Sequence, residues 1–172
     1  MRTVSDHPLQ HMIRERIQQD SNSSSKDPAG SDRLCVGIFE ASICEGMMFS
    51  RKFGILTTGN DSGMKPGIDR GVSSFLGANG SERYAGCVTS GLGVLELRNG
   101  DPEVVRKVIE ETAGKVALQG AEAIILGCAG MAGMEGYVQD GVRKAGLGRV
   151  RIIDGAKAGL AFLVGLLLQR QR

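Results

Sequence analysis

The chain contains 172 residues and carries a formal net charge of +2, from 21 Lys and Arg against 19 Asp and Glu. Its length predicts one ordinary domain, and its 41% hydrophobic and 23% charged residues are typical of a globular protein. So small a charge excludes nucleic acid as the expected partner, and an aromatic content of 4% excludes a base-stacking surface.

The first fifty residues contain few predicted elements. Pro8–Gln19 is expected to be helical, and the polar, Ser-rich stretch at 20–31 is typical of a linker. Leu34–Phe39 predicts a strand and Ile43–Phe49 a short helix. Because so few elements cannot enclose a core of their own, we interpret residues 1–50 as the remnant of a first α/β lobe.

From residue 51 to 172, strand-like and helix-like segments alternate, and this alternation predicts a second, complete α/β lobe. We expect a flavodoxin-like parallel sheet with helices on both faces, the C-terminal lobe complete and the N-terminal lobe partial. The clearest helix is the one that Asp101 can cap and whose first turn Pro102 suits. The predicted strands are Lys52–Thr58, Tyr84–Thr89, Ala121–Leu126 and Val150–Ile153, and the predicted helices are Met64–Leu76, Asp101–Leu118, Met131–Lys144 and Ala156–Leu168.

The last predicted helix, Ala156–Leu168, is apolar around most of its circumference. A helix of this kind must be covered on two sides. We therefore expect it to pack back on the first lobe or on another subunit, and we expect self-association where it stays uncovered.

The four cysteines form no CxxC pair and no Cys/His cluster with the spacing of a zinc site. His7 and His11 lie four residues apart, but no third ligand lies near them in the sequence, so no metal is predicted. Scattered cysteines are typical of reduced thiols, which favours a cytoplasmic location. The N-terminus has no apolar signal region, and the apolar run at 159–168 is too short to cross a bilayer, so no membrane partner is expected.

The segment Ile124–Met134 is the strongest candidate for chemistry. Its apolar strand leads into Gly127, Cys128, Ala129 and Gly130, at the carboxyl end of a parallel strand, where α/β proteins bind ligands. A following helix would favour the thiolate, and free backbone N–H groups could hold a ligand oxygen. The alternative is a buried, unreactive cysteine in a tight turn.

A second candidate is the group of Thr57, Thr58 and Gly59, which ends the first strand of this lobe. Two hydroxyls and a glycine at the same edge of the sheet could bind an acidic ligand group, although a plain strand end followed by a turn explains them equally. No G-x-S-x-G, Walker or complete G-x-G-x-x-G motif occurs, and few aromatic residues could enclose a flavin. No cofactor is therefore predicted.

Six motifs resemble, in the same order, segments of the Asp/Glu/hydantoin racemase superfamily, and the chain is most similar to its fungal hydantoin racemase-like branch. The similarity covers most of the chain apart from the Ser-rich linker. The motifs are Ser5–Leu9 (SDHPL), Gly37–Ser42 (GIFEAS), Phe53–Gly59 (FGILTTG), Thr89–Leu97 (TSGLGVLEL), Ala121–Met134 (AEAIILGCAGMAGM) and Val150–Gly159 (VRIIDGAKAG).

This resemblance implies two similar α/β lobes with an active site between them, and catalysis without pyridoxal phosphate or metal. One cysteine from each lobe would face the stereocentre of the substrate, one removing a proton and the other returning one. Cys128 matches the cysteine of the second lobe. The ligand-binding positions that the resemblance implies are Thr57, Thr58, Gly59, Gly127, Ala129 and Gly130.

Thr3 stands at the position that matches the first-lobe cysteine, and a hydroxyl is too weakly acidic to replace a thiol in this chemistry. We also expect the first lobe to be truncated. The resemblance implies a cofactor-independent racemase or epimerase acting at the α-carbon of a hydantoin, an allantoin-like compound or an amino acid. The alternatives are a catalytically impaired remnant that binds a small acid or a protein partner, and a one-cysteine enzyme like the related decarboxylases.

Overall fold

The computed structural model describes residues 8–22, 33–77 and 82–170. Thr3, His7 and most of the Ser-rich linker lie outside the described residues. The described elements are, in chain order, α1 (Pro8–Asn22), α2 (Ile38–Phe49), β1 (Phe53–Thr57), α3 (Lys65–Leu76), β2 (Tyr84–Thr89), α4 (Val94–Asn99), α5 (Pro102–Leu118), β3 (Ala123–Leu126), a single 3-10 turn (Ala129–Met131), α6 (Glu135–Lys144), β4 (Arg151–Asp154) and α7 (Gly155–Arg170).

The sheet has four strands in the order β2-β1-β3-β4, and every neighbouring pair is parallel. This is the order of a flavodoxin-like sheet without its fifth strand, so the predicted fold class is confirmed. Since all strands run in the same direction, their carboxyl ends lie along one edge. In register, Leu56 of β1 pairs with Leu126 of β3, which in turn pairs with Asp154 of β4.

The core lies on both faces of the sheet, because β1 and β3 are buried along their whole lengths. Alternate side chains point to opposite faces. Ile55 and Ile125 pack with residues of α2, α3 and α7, whereas Leu56 and Ile124 pack with residues of α5 and α6. The continuous apolar runs in the sequence are thus explained by burial on both sides.

The strand predicted at Leu34–Phe39 is wrong, because α2 starts at Ile38 and residues 33–37 have no regular structure. Phe39, Ile43 and Gly46 are buried on one face of this helix. A Cβ on Gly46 would lie 3.2 Å from Cβ of Phe53, so the helix packs closely on β1. Tertiary packing therefore overrides the β-like composition of the segment.

Two further helices differ from the prediction. The helix predicted from Met131 starts at Glu135, because Gly133 adopts a left-handed φ of +87° that interrupts it. Helix α4 was not predicted, and α1 continues to Asn22, into the start of the predicted linker.

Helix α7 packs on α2, where Gly155 and Gly159 both lie against Ile38. Its other side carries large exposed apolar residues, including Leu160 and Leu168 with exposed fractions of 63% and 59%. The apolar character predicted for this helix is confirmed, while its burial by another lobe or subunit stays a prediction. Within the described ranges, no helix combines the length and the apolar character that crossing a membrane requires.

Among the described residues, Glu110 on α5 is the one charged residue that is buried. Its carboxylate accepts hydrogen bonds from Arg106 of the same helix, at 2.9 Å, and from Lys144 of α6. These two cations hold the pKa of Glu110 below its usual value of 4.5. The carboxylate therefore ties α5 to α6 most strongly when it is ionised.

We expect Glu110→Gln to lower the free energy of unfolding by about 1 kcal/mol at neutral pH. In the wild type this contribution is fully present above the usual Glu pKa and is lost as the pH falls through the lowered folded-state value. Urea unfolding at a series of pH values should show the difference between wild type and variant vanishing under acid. The exposed neighbour offers a control, Glu111→Gln, and an equal effect of both variants would contradict the assignment.

Candidate active site

The carboxyl ends of β1 and β3 lie side by side, and this brings Thr57 next to Gly127. The Gly127 N–H donates to the carbonyl oxygen of Leu56 at 2.7 Å, which extends the strand pairing by one residue. A Cβ on Gly127 would lie 2.9 Å from Cβ and 3.0 Å from Oγ1 of Thr57. Glycine is therefore required at this position by the close approach of the two strands.

Cys128 follows at the edge of the sheet and is buried, with an exposed fraction of 6%. Its side chain belongs to the core cluster on the α5 and α6 side, together with Leu97 and Met131. Cys128 also lines a cavity of about 10 Å³, which has room for about one water molecule. The thiol is thus at the predicted edge but covered.

The backbone after Cys128 turns tightly and leaves two N–H donors without an acceptor among the described residues. The Met131 N–H donates to the carbonyl oxygen of Cys128, and the Ala132 N–H donates to that of Ala129. No acceptor among the described residues takes the N–H groups of Ala129 and Gly130. The α-helix predicted to follow Cys128 starts only at Glu135, and a single 3-10 turn, for which Cys128 is the N-cap residue, stands between them. The two N–H groups take the place of the helix N-terminus as local donors.

Thr57, Thr58 and Gly59 occupy the neighbouring strand end and its loop. Both threonines are buried, and Thr57 Oγ1 has no hydrogen-bond partner among the described residues. Gly59 adopts a φ of +80°, and its N–H donates to the carbonyl oxygen of Leu92 at 2.8 Å. That N–H group is therefore already paired within the protein.

Residues 1–163 match the family model described as Asp/Glu/hydantoin racemase. The chain belongs to this family. A hydantoin racemase of Rhizobium meliloti is 35% identical over 133 residues, covering 77% of this chain and 50% of the relative. An uncharacterized protein of Schizosaccharomyces pombe is 31% identical over 163 residues, covering 94% of this chain and 59% of the relative.

Among solved structures, allantoin racemase from Pseudomonas fluorescens superimposes with a TM-score of 0.61 at 26% identity, covering 77% of this chain and 52% of that structure. The chain spans between half and about three-fifths of the length of these racemase-family relatives. The solved structure shares the fold of this chain, and the hydantoin racemase agrees with its membership of the Asp/Glu/hydantoin racemase family.

Sequence reasoning missed four residues that share the Cys128 cavity in this racemase-family fold: Ile38, Asp154, Gly155 and Ala156. The position of Asp154 at the carboxyl end of β4, beside β3, is a signal that could have found it. Its Oδ1 accepts the N–H groups of Ala156 at 2.8 Å and Lys157 at 3.2 Å, and so caps α7. Lys157 in turn binds Glu135 at 2.6 Å, which lowers the pKa of that carboxyl.

Two other described cysteines, Cys87 and Cys44, are poorly suited to proton transfer. Burial, with Asp69 nearby, raises the pKa of Cys87 to about 12, so this thiol stays protonated at neutral pH. Burial also raises the pKa of Cys44 on α2. Within the described residues no group of three His, Cys, Asp or Glu side chains could hold a metal ion.

We expect Thr57→Val to raise the free energy of unfolding by about 1 kcal/mol, because it replaces a buried hydroxyl that has no partner with a methyl group of similar shape. Thr112→Val is the matched control, since the Thr112 hydroxyl donates to the carbonyl oxygen of Val108 at 2.7 Å and its loss should destabilise. Urea unfolding of both variants measures the change in the free energy of unfolding, which should be positive for Thr57→Val and negative for Thr112→Val. A destabilised Thr57→Val variant would show that the hydroxyl has a partner in solution.

Proposed function

We propose that this protein is a cofactor-independent racemase or epimerase in which Cys128 transfers the proton at the α-carbon of its substrate. The observation that carries the proposal is the position of the Cys128 thiol at the carboxyl end of β3, beside the unpaired N–H groups of Ala129 and Gly130. Membership of the racemase family supports the reaction class.

The proposed step balances without any cofactor. The Cys128 thiolate takes the α-proton to become a thiol, and the electron pair of the C–H bond moves into the adjacent carbonyl group to form an enolate. The N–H groups of Ala129 and Gly130 donate to the enolate oxygen, which lowers the energy of this intermediate. Return of a proton to the carbon restores the carbonyl group and releases the product, and the Cys128 thiol then loses its proton to solvent, which regenerates the thiolate.

Inversion requires that the returning proton reach the opposite face of the carbon. Thr3, which matches the position of the first-lobe cysteine in the family, lies outside the described residues and is too weakly acidic for this role. We propose that water or a group outside the described residues supplies this proton, so that Cys128 is the one thiol base.

For the substrate we propose a hydantoin, an allantoin-like compound or an amino acid. The relatives named hydantoin racemase and allantoin racemase support the first two. Thr57, Thr58, Gly59 and Gly127 lie at the same sheet edge and are the proposed ligand-binding positions beside Ala129 and Gly130. The described cysteines are all free thiols, which supports a location in a reducing compartment such as the cytoplasm.

A second function, ligand binding without racemisation, is favoured by the burial of Cys128 and the small size of its cavity. A thiol that is 6% exposed reaches a substrate only if the edge of the sheet opens or is completed by other residues. On this reading the protein binds a small acid or a protein partner. A one-cysteine reaction like that of the related decarboxylases is a separate alternative, and it needs the same access to the Cys128 thiol as racemisation does.

Deuterium wash-in at the α-carbon distinguishes these functions. The wild-type chain is incubated in heavy water with 5-methylhydantoin, allantoin or alanine, and the label is followed by NMR, with protein-free samples as controls. We expect label at the α-carbon of at least one compound, together with loss of optical activity. Label without inversion would indicate a one-base site, and no label in any compound would overturn the racemase proposal.

A further inference from the structure

Strand β4 forms one edge of the sheet, since it pairs with β3 alone among the described strands. The Arg151 N–H donates to the carbonyl oxygen of Glu122 at 3.0 Å, on the β3 side. Because the N–H and C=O groups along a strand alternate between its two sides, those of Ile152 and the N–H group of Asp154 point away from β3. The described chain leaves these backbone groups unpaired along an open edge.

A groove of about 850 Å³ runs along this edge, with β4 as its floor. Glu135 and Gln139 of α6 line it on one face of the sheet. Glu45 of α2 and Lys157 of α7 line it on the other. The helices therefore flank the edge without covering it, and another strand has room to pair with β4.

The two ends of the open edge carry opposite unpaired charges. At the amino end, Arg151 forms a salt bridge with α2 at 3.0 Å, whereas the exposed Arg149 has no partner among the described residues. At the carboxyl end, Lys157 is paired with Glu135 at 2.6 Å. Asp154 uses Oδ1 to cap α7, and its Oδ2 accepts no hydrogen bond from the described part of the chain.

An edge with this arrangement of charges is complementary to itself. When two copies of β4 pair in antiparallel orientation with Ile152 opposite Ile152, Asp154 of one copy lies opposite Val150 of the other and next to its Arg149. A parallel pairing would bring like charges together. Charged residues protect many edge strands from other chains, but an antiparallel copy meets the opposite charge here. The two-fold axis of such a pair forms the Arg149–Asp154 contact twice.

We propose that the β4 edge is a docking surface for a second copy of this chain, so that two four-stranded sheets join into one continuous sheet of eight strands. Arg149 of each copy binds Oδ2 of Asp154 in the other, and the N–H and C=O groups of Ile152 pair across the axis. This contact does not depend on whether Cys128 catalyses a reaction. Because β4 has only four residues, we expect a weak dimer, with a dissociation constant on the order of 10–100 µM.

Analytical ultracentrifugation tests the dimer with the whole chain, at protein concentrations from about 5 to about 500 µM. We expect the wild type to change from monomer to dimer over this range, and the dimer to weaken as NaCl is raised to about 0.5 M. Arg149→Glu places a carboxylate beside Asp154 and should raise the dissociation constant at least about tenfold. The matched control is Arg98→Glu on α4, another exposed arginine without a partner among the described residues, and it should change nothing.

Amide hydrogen exchange shows which surface the dimer uses. The amide protons of Ile152 and Asp154 should exchange more slowly as the wild-type protein is concentrated, because they become hydrogen-bonded across the new contact. In Arg149→Glu their exchange should stay fast. The amide protons of Arg151 and Ile153 face β3 and should be protected in both proteins at every concentration.

Three results would overturn the proposal. The first is a wild type that sediments as a monomer throughout the concentration range. The second is a dimer that Arg149→Glu leaves as strong as in the wild type. The third is a dimer that leaves the amide protons of Ile152 and Asp154 in fast exchange and is lost in Leu160→Gln, since Leu160 lies on the exposed apolar side of α7. That result would place the contact on α7 instead of β4.

Discussion

Cys128→Ala should lose deuterium exchange at the α-carbon by a factor of at least about 100, because a methyl group can neither accept nor return a proton. The rate is measured by NMR wash-in under the conditions that give exchange with the wild type. The loss should appear in kcat, with substrate binding largely retained, since the thiol acts on the reacting proton and the N–H groups of Ala129 and Gly130 remain.

Two further variants show whether the effect belongs to this thiol. Cys128→Ser keeps the shape of the side chain, yet it should be almost as inactive because a hydroxyl is a far weaker acid. Cys44→Ala removes a half-buried thiol on α2 that does not line the cavity, and it should leave exchange unchanged. Exchange that persists in Cys128→Ala would assign the base to another residue and contradict the mechanism.

The central elements of the fold could be predicted from the sequence because local and tertiary preferences agree there. The apolar runs of β1 and β3 are buried on both faces, as parallel strands require. Helix α5 begins as its sequence indicates, with Asp101 accepting the N–H group of Glu103 at 2.9 Å. The structure of such segments depends little on contacts with residues distant in the sequence.

The segment at 34–49 could not be predicted in the same way. Its apolar residues fit a short strand as well as one face of a helix, and periodicity does not separate the two in so short a run. The choice is made by packing, because Gly46 lets α2 approach Phe53 of β1 closely while Ile38 lies against α7. The contact of Ile38 with α7 joins residues far apart in the sequence, so the sequence of the segment alone does not reveal it.

The candidate site shows the same division. Cys128, Gly127 and Thr57 were expected at one edge because they follow neighbouring parallel strands, and they lie there. How far the Cys128 thiol is buried could not be predicted from the sequence, since its burial depends on packing against Leu97 and Met131. The roles of Cys128, Gly127 and Thr57 in binding and catalysis stay predictions, which the experiments above test.

Gly141→Ala should lower the free energy of unfolding by about 3 kcal/mol, as the two backbones of α5 and α6 touch at this point. A Cβ on Gly141 would lie 2.1 Å from the carbonyl oxygen of Glu110, and backbone atoms cannot move aside as the end of a flexible side chain can. Gly114 of α5 makes the reciprocal approach, with its Cβ position 3.3 Å from the carbonyl oxygen of Gly141. The helices must therefore separate to accept the methyl group.

The same helix provides the control. Gly136→Ala adds a methyl group where no atom lies within 4 Å, so it should stabilise the protein by about 0.5–1 kcal/mol through helix propensity alone. Because Gly141→Ala, in the helix interior, gains at least as much propensity, the difference between the two variants in urea unfolding gives a lower bound on the cost of forcing α5 and α6 apart. Equal stabilities of the two variants would mean that these helices are not in backbone contact in solution.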